Sequence, residues 1–238
     1  MKKYKLGILM VILAVNVFLF HATFASSTDE IGDLFPDPVL AELVGLNLGM
    51  NVDDIVSESD LLTIEVLNFD PGVRVSDFSG IEYLQNLEHL YLDGHGLTSL
   101  APFSSLENLR LLNVELNEIS DLSPLRDMVH LEVLLLGGNP VDDVSVLLDL
   151  PSLRRLSLFE TAITDLGDVS QMVDLEVLDL SATALDGDDL GLLSSLVNLS
   201  QLTLMDIALE QVEFLSSLTM LESLTLFNNV YLRDLSPL

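Results

Sequence analysis

Few side chains in this 238-residue chain could do catalytic chemistry, and their spacing does not favour it. Cysteine is absent, which removes disulfides, thiolate zinc sites, cysteine nucleophiles and iron–sulfur clusters together. Four histidines are present, and His21, His89, His95 and His130 have no metal-ligand partner at usable spacing. His89 and His95 fall at the two ends of one expected strand and read as surface residues. No G-x-S-x-G elbow, H-E-x-x-H helix, phosphate-binding loop or dinucleotide glycine pattern occurs. Asp186-Gly187-Asp188 lacks the later Glu of a calcium loop and reads as a turn. Asp121, Asp143 and Asp165 recur at a constant interval and would form a column of carboxylates. Such a column could attract cations, but the simpler role is to accept N–H groups of tight turns. The expectation is a non-enzyme with no catalytic residue, no metal and no cofactor.

The elements that hold these residues are announced by composition. Leucine fills 56 of the 238 positions, and 9 Lys and Arg against 38 Asp and Glu leave a net charge of −29. Three of the nine cations are Lys2, Lys3 and Lys5; the rest of the chain has six Arg, no Lys and a net charge of −32. So acidic a chain offers no cationic surface to displace phosphate counterions, which excludes nucleic acid as a partner. Abundant leucine also excludes disorder, because there is ample apolar area to offset chain entropy.

Lys2, Lys3 and Lys5 precede an apolar run, Leu6–Phe20, that ends in Thr23-Phe24-Ala25. Basic, apolar and small residues in that order read as a signal peptide over residues 1–25, cleaved before Ser26. The run is short for a bilayer span of about 20 residues, no Cys follows it for lipid attachment, and later leucine runs are interrupted by Asp, Glu or Ser. A secreted or cell-surface protein without stable membrane insertion after cleavage is expected.

The pattern L-x-x-L-x-L recurs seven times in register, from Leu87-Leu90-Leu92 to Leu221-Leu224-Leu226. First leucines fall at 87, 109, 131, 153, 175, 199 and 221, an interval of 22 broken once by 24. A unit of this size cannot bury its own apolar face, so units must stack, with short parallel strands forming one sheet. The position after each strand, where an Asn amide can satisfy the backbone of adjacent coils, holds His95, Asn117, Asn139, Thr161, Thr183, Ile207 and Asn229. Ile207 cannot do this, so the unit with the longer interval should be locally irregular, with Asp186–Asp189 bulging outward as a turn.

The unit Leu109-x-x-Leu112-x-Val114-x-x-Asn117-x-Ile119-Ser120-Asp121-Leu122-Ser123-Pro124-Leu125 resembles that of internalin-type bacterial leucine-rich repeat proteins. The lead-in Phe35-Pro36-Asp37-Pro38-Val39-Leu40-Ala41-Glu42, then Ser59-Asp60-Leu61 and Ser79-Gly80-Ile81-Glu82-Tyr83-Leu84, is similar to the helical cap of that family. From the residues alone, Asp37 reads as a helix N-cap with Pro38 at the first helical position. The expected architecture is α/β, a right-handed leucine-rich repeat solenoid with a parallel concave sheet and a small N-terminal helical cap. Signal peptide 1–25 is followed by a cap and lead-in over 26–80 and repeats over 81–238, in about seven units. The last unit stops in mid-pattern at Asp234-Leu235-Ser236-Pro237-Leu238, which points to a chain that continues. The resemblance implies a bacterial surface or secreted protein whose concave face can bind a host surface receptor.

With the fourth and sixth positions of each unit facing inward, alternation sends the third, fifth and seventh outward. Tyr91, Leu135, Arg155, Phe159, Met205 and Phe227 then lie on the concave face, of the types favoured at interface centres. Apolar anchors in an acidic surround suit a protein or peptide partner of basic character. The competing expectation is a non-catalytic targeting or structural domain of a larger exported enzyme or surface protein continuing beyond residue 238.

Overall fold

The computed structural model describes residues 29–70 and 72–236. The signal-peptide segment and Pro237-Leu238 lie outside the described residues. Eight three-residue strands form one parallel sheet in sequence order: β1 (Val66–Asn68), β2 (His89–Tyr91), β3 (Leu111–Asn113), β4 (Val133–Leu135), β5 (Arg155–Ser157), β6 (Val177–Asp179), β7 (Gln201–Thr203) and β8 (Ser223–Thr225). Strands β2 to β8 are the seven L-x-x-L-x-L units. β1 lies in the lead-in and is joined to β2 in register, with Leu67 beside Leu90. Each strand returns to the next through a turn that contains a short 3-10 or α-helical segment, so the molecule is an α/β leucine-rich solenoid.

The pattern of leucines becomes a continuous interior. Leu87, Leu90, Leu92, Leu109, Leu112, Leu131, Leu134 and Leu136 are all fully buried, and their equivalents are buried as far as the coil of β7. Burial of a leucine side chain contributes roughly 2 kcal/mol, so each coil adds several such terms against its neighbours and none against itself.

Two polar ladders run through the coils. Asn117 accepts from the Leu97 N–H (2.9 Å) and donates to the Leu92 and Val114 carbonyls (both 2.8 Å). Asn139 accepts from the Ile119 N–H and donates to the Val114 and Leu136 carbonyls. Thr161 and Thr183 reach only one carbonyl each, Leu158 and Leu180. His95, expected on the surface, is instead buried at this ladder position; its Nδ1 meets the Asp93 carbonyl and its Nε2 has no hydrogen-bond partner among the described residues. The second ladder is on the opposite edge, where Asn86, Asn108, Ser152 and Asn198 donate to the Leu62, Gln85, Val129 and Val173 carbonyls of the preceding coil.

Between the fourth and sixth inward positions and the ladder, the chain turns sharply. The eighth residue of every coil from β2 to β8 has a left-handed backbone, φ between 51° and 70°. Only Gly94 and Gly138 meet that demand without a Cβ; Leu116, Glu160, Ala182, Asp206 and Asn228 adopt it at a cost of about 1–2 kcal/mol each. The irregularity expected near Ile207 is present as a second left-handed residue, Ala208, and Asn229 takes both the Ile207 and Leu209 N–H groups. Asp186–Asp189 differs from the expected turn. Asp186 accepts from the Asp188 and Asp189 N–H groups and starts helix α4 (Gly187–Gly191, numbered after the cap helices below), which absorbs the extra residues and leaves Val177 paired with Gln201.

The N-terminal end is closed by helices α1 (Ile31–Leu34), α2 (Pro38–Leu48) and α3 (Glu58–Leu61). Asp37 caps α2 through the Val39 and Leu40 N–H groups, and its other oxygen accepts from the Ser76 N–H (2.7 Å), the Ser76 hydroxyl (2.8 Å) and the Asp77 N–H. One carboxylate thus starts the helix and fastens the cap to the first coil. Edge-to-face contacts of Phe35 with Tyr83, Phe69 with Phe78 and His95, and Phe78 with Phe103 fill the space beneath. Among the described residues no helix is long and apolar enough to cross a membrane.

Candidate functional site

The turn carboxylates are engaged in backbone geometry. Asp121, Asp143 and Asp165 accept from the N–H groups of Ser123, Ser145 and Gly167 at 2.8–3.0 Å. Hydrogen bonds from the backbone and hydroxyl of Ser123 hold Asp121 below the usual carboxylate range, and those from Ser145 do the same for Asp143. Among the described residues no group of three or more His, Asp or Glu is arranged to hold a metal ion.

The concave sheet face carries three parallel rows of side chains, fixed by strand register. The outer row runs Val66, His89, Leu111, Val133, Arg155, Val177, Gln201 and Ser223. The central row runs Asn68, Tyr91, Asn113, Leu135, Ser157, Asp179, Thr203 and Thr225. Just past the strands come Asp93, Glu115, Gly137, Phe159, Ser181, Met205 and Phe227.

Tyr91, Leu135, Phe159 and Met205 are half-buried, Arg155 is exposed, and Phe227 is 72% exposed. The six fall into two groups. Tyr91, Leu135, Arg155 and Phe159 lie on coils two to five of the sheet, beside half-buried Leu111 and Val133. Met205 and Phe227 lie together at the far end, separated from Phe159 by the coil that carries Ser181. Phe159 has a built seat: its ring lies over Gly137, at the place a Cβ on that residue would occupy. The second half of the face, with Gln201, Thr203, Ser223 and Thr225, is hydroxyl- and amide-rich.

Glu115 was not among the six anchors. Its carboxylate accepts from the Ser157 hydroxyl at 3.0 Å, two strands away. Gly137, over which the Phe159 ring lies, is the residue of the same column on the intervening coil. Burial pushes the Glu115 carboxyl up, the Ser157 hydrogen bond opposes this, and the Asp93 and Asp179 carboxylates add to the rise. Asp179 is itself held by the Ser181 N–H and hydroxyl at 2.9 and 2.6 Å. The sequence signal for Glu115 is its place in the outward column beside Asp93.

Three of the six arginines are engaged elsewhere. Arg110 lies between Glu88 (3.6 Å) and Glu132 (2.6 Å), Arg126 pairs with Asp149 (3.5 Å), and Arg154 donates to the Pro151 and Leu153 carbonyls.

No family model matches the sequence. Among solved structures, the chain is similar to the internalin InlF from Listeria monocytogenes, with 29% identity and a TM-score of 0.75 over 90% of this chain and 69% of that one. Internalin C2 from the same organism matches with 27% identity and a TM-score of 0.75, over 89% of this chain and 92% of that one. A leucine-rich repeat protein from Leptospira interrogans shares 29% identity with a TM-score of 0.60, over 72% of this chain and 45% of its own length. Capped at one end, built on eight parallel strands and flanked by these neighbours, the chain is an internalin-like leucine-rich repeat solenoid.

Proposed function

We propose that this protein is an exported, non-catalytic recognition module that binds a protein or peptide partner on its concave face, with Tyr91, Leu135, Arg155 and Phe159 as central contacts and Met205 and Phe227 as a second group. One observation carries the reading: apolar and aromatic side chains occupy a solvent-facing sheet that the interior does not need. The inward positions already bury the leucines of the coils from β2 to β7, yet Leu111, Val133, Leu135, Val177 and Phe159 stand on the other face of the same sheet. Contiguous apolar area facing solvent marks interaction surfaces, and the solenoid's solved neighbours are leucine-rich repeat proteins, a fold of protein recognition. The basic, apolar and small residues of 1–25 support export to the cell surface or medium, ahead of a cap and lead-in over 26–80 and repeats over 81–238. A host surface receptor is the partner class that likeness to internalins suggests, and the negative charge suits a basic one.

The test is capture from cell-surface protein fractions by the immobilised full chain, with the captured protein identified and then titrated in purified form. Tyr91→Ala and Phe159→Ala are expected to weaken its binding at least tenfold, while Val129→Ser, on the opposite edge, leaves it unchanged. Equal binding by all four proteins, each folded, overturns the concave-face assignment.

A further inference from the structure

We infer that the segment seated on this face is an extended stretch of a partner protein that presents a lysine or arginine side chain to Glu115, its aliphatic stem lying on the apolar rows beside it. The inference rests on the concave-face reading above and names the chemistry of what is bound there.

Three observations converge. First, the floor of the sheet between β3 and β6 is sealed and shaped: Ser157 is 7% and Ser181 4% exposed, Gly137 is buried, and Phe159 lies on it as one wall. Second, the polar group on this floor lacks a cation. Glu115 has the Ser157 hydroxyl at 3.0 Å as its donor, Asp93 and Asp179 act on it with like charge, and no ion pair among the described residues reaches any of the three. A partly desolvated carboxylate between two others is stabilised most by a charge of opposite sign, through a charge-assisted hydrogen bond shorter and stronger than a neutral one. Third, the surround fits the stem of a basic residue. Leu111, Val133, Leu135 and Val177 offer apolar surface within the two adjacent rows, along which the methylenes of Lys or Arg can lie while the head reaches the carboxylate. An aromatic ring such as Phe159 adds attraction for a cation that comes over its face.

Charge selects this occupant over the others. A second copy of the chain carries the same −29 and is repelled as a whole. Nucleic acids and anionic lipid surfaces are repelled for the same reason. A bare metal ion finds no suitable group of three ligands among the described residues. An apolar segment with a basic residue satisfies both the rows and the carboxylate.

Panning a displayed library of random linear peptides against the full chain tests this and does not require the partner in hand. The enriched peptides are expected to share a Lys or Arg flanked by apolar residues; a pool without basic residues overturns the inference. One enriched peptide is then synthesised with Lys and with norleucine at that position, and both are titrated against the wild-type chain and Glu115→Gln. Each single change is expected to weaken binding about tenfold, and the two together no more than either alone, as for a directly coupled pair. The peptide change leaves the protein's fold untouched, so it remains decisive if Glu115→Gln folds poorly. Binding indifferent to norleucine and to Glu115→Gln but lost in Phe159→Ala overturns the cation seat and leaves the concave face as the binding surface. Binding indifferent to Glu115→Gln, Phe159→Ala and Tyr91→Ala overturns both.

Discussion

Asn139 shows how a single residue ties three segments together. Its amide takes the Ile119 N–H and gives protons to Val114 and Leu136, each a backbone group without water beside it. In Asn139→Ala the Ile119 N–H and the Leu136 carbonyl lose this partner while Val114 keeps Asn117, at about 1–3 kcal/mol for each group left unsatisfied. The expected loss of about 3 kcal/mol is read from chemical unfolding. Glu115 is the opposite case, a residue that costs stability where it stands. Because its folded-state carboxyl titrates above the ordinary value, the folded chain binds the proton more tightly than the unfolded one. The charged form therefore lowers stability as pH rises through the folded value, and the penalty is absent below the unfolded value of about 4.3. Glu115→Gln should melt at a higher temperature than the wild type at pH 7, with the difference shrinking towards zero below about pH 4. A wild-type chain that is the more stable at pH 7 would remove the reason for regarding Glu115 as a residue kept for binding.

Among the elements, the cap and the solenoid meet at a close backbone approach. Gly80 has φ of 97° and packs so close to the Leu34 carbonyl that no Cβ fits between them. Gly80→Ala is expected to cost roughly 2–4 kcal/mol, combining left-handed backbone strain with overpacking; unfolding curves measured beside Gly49→Ala, whose Cβ would meet open space, separate the two causes. These joints mark where sequence reading ends. The strands and their inward leucines were legible because the repeat prints the same address at every coil, and the α2 N-cap was legible because Asp37-Pro38 is a local signal. β1 was not, since Val66-Leu67-Asn68 lacks the full leucine pattern and is a strand through its pairing with β2. Nor was the second role of Asp37, whose partner Ser76 lies 39 residues away. The outward rows could be read from alternation, and the six side chains named from it stand in those rows. The hydrogen bond from Ser157 to Glu115, 42 residues and two strands away, is a contact that alternation does not print.

The whole molecule is a one-dimensional stack, so stability should vary along it. Leu199, Leu202 and Leu204 are at most 1% exposed, whereas Leu221, Leu224 and Leu226 in the next coil are only partly buried, with Met220 and Val230 beside them 61% and 69% exposed. Native-state hydrogen exchange is expected to be fastest in β8 and slowest in β3 to β5, a gradient that nearest-neighbour coupling produces and a single globular core does not. The same ordering leaves the middle coils as the rigid floor on which a partner can be held with little loss of conformational entropy.

The concave face as the binding surface is the claim on which the rest depends, and hydrogen exchange of the full chain with and without its purified partner tests it most directly. New protection is expected at the strands and post-strand turns of β2 to β6, around Tyr91, Glu115, Leu135 and Phe159, with the return segments unchanged. Protection confined to the return segments, such as Ser123–Leu125 and Ser145–Asp149, would contradict it.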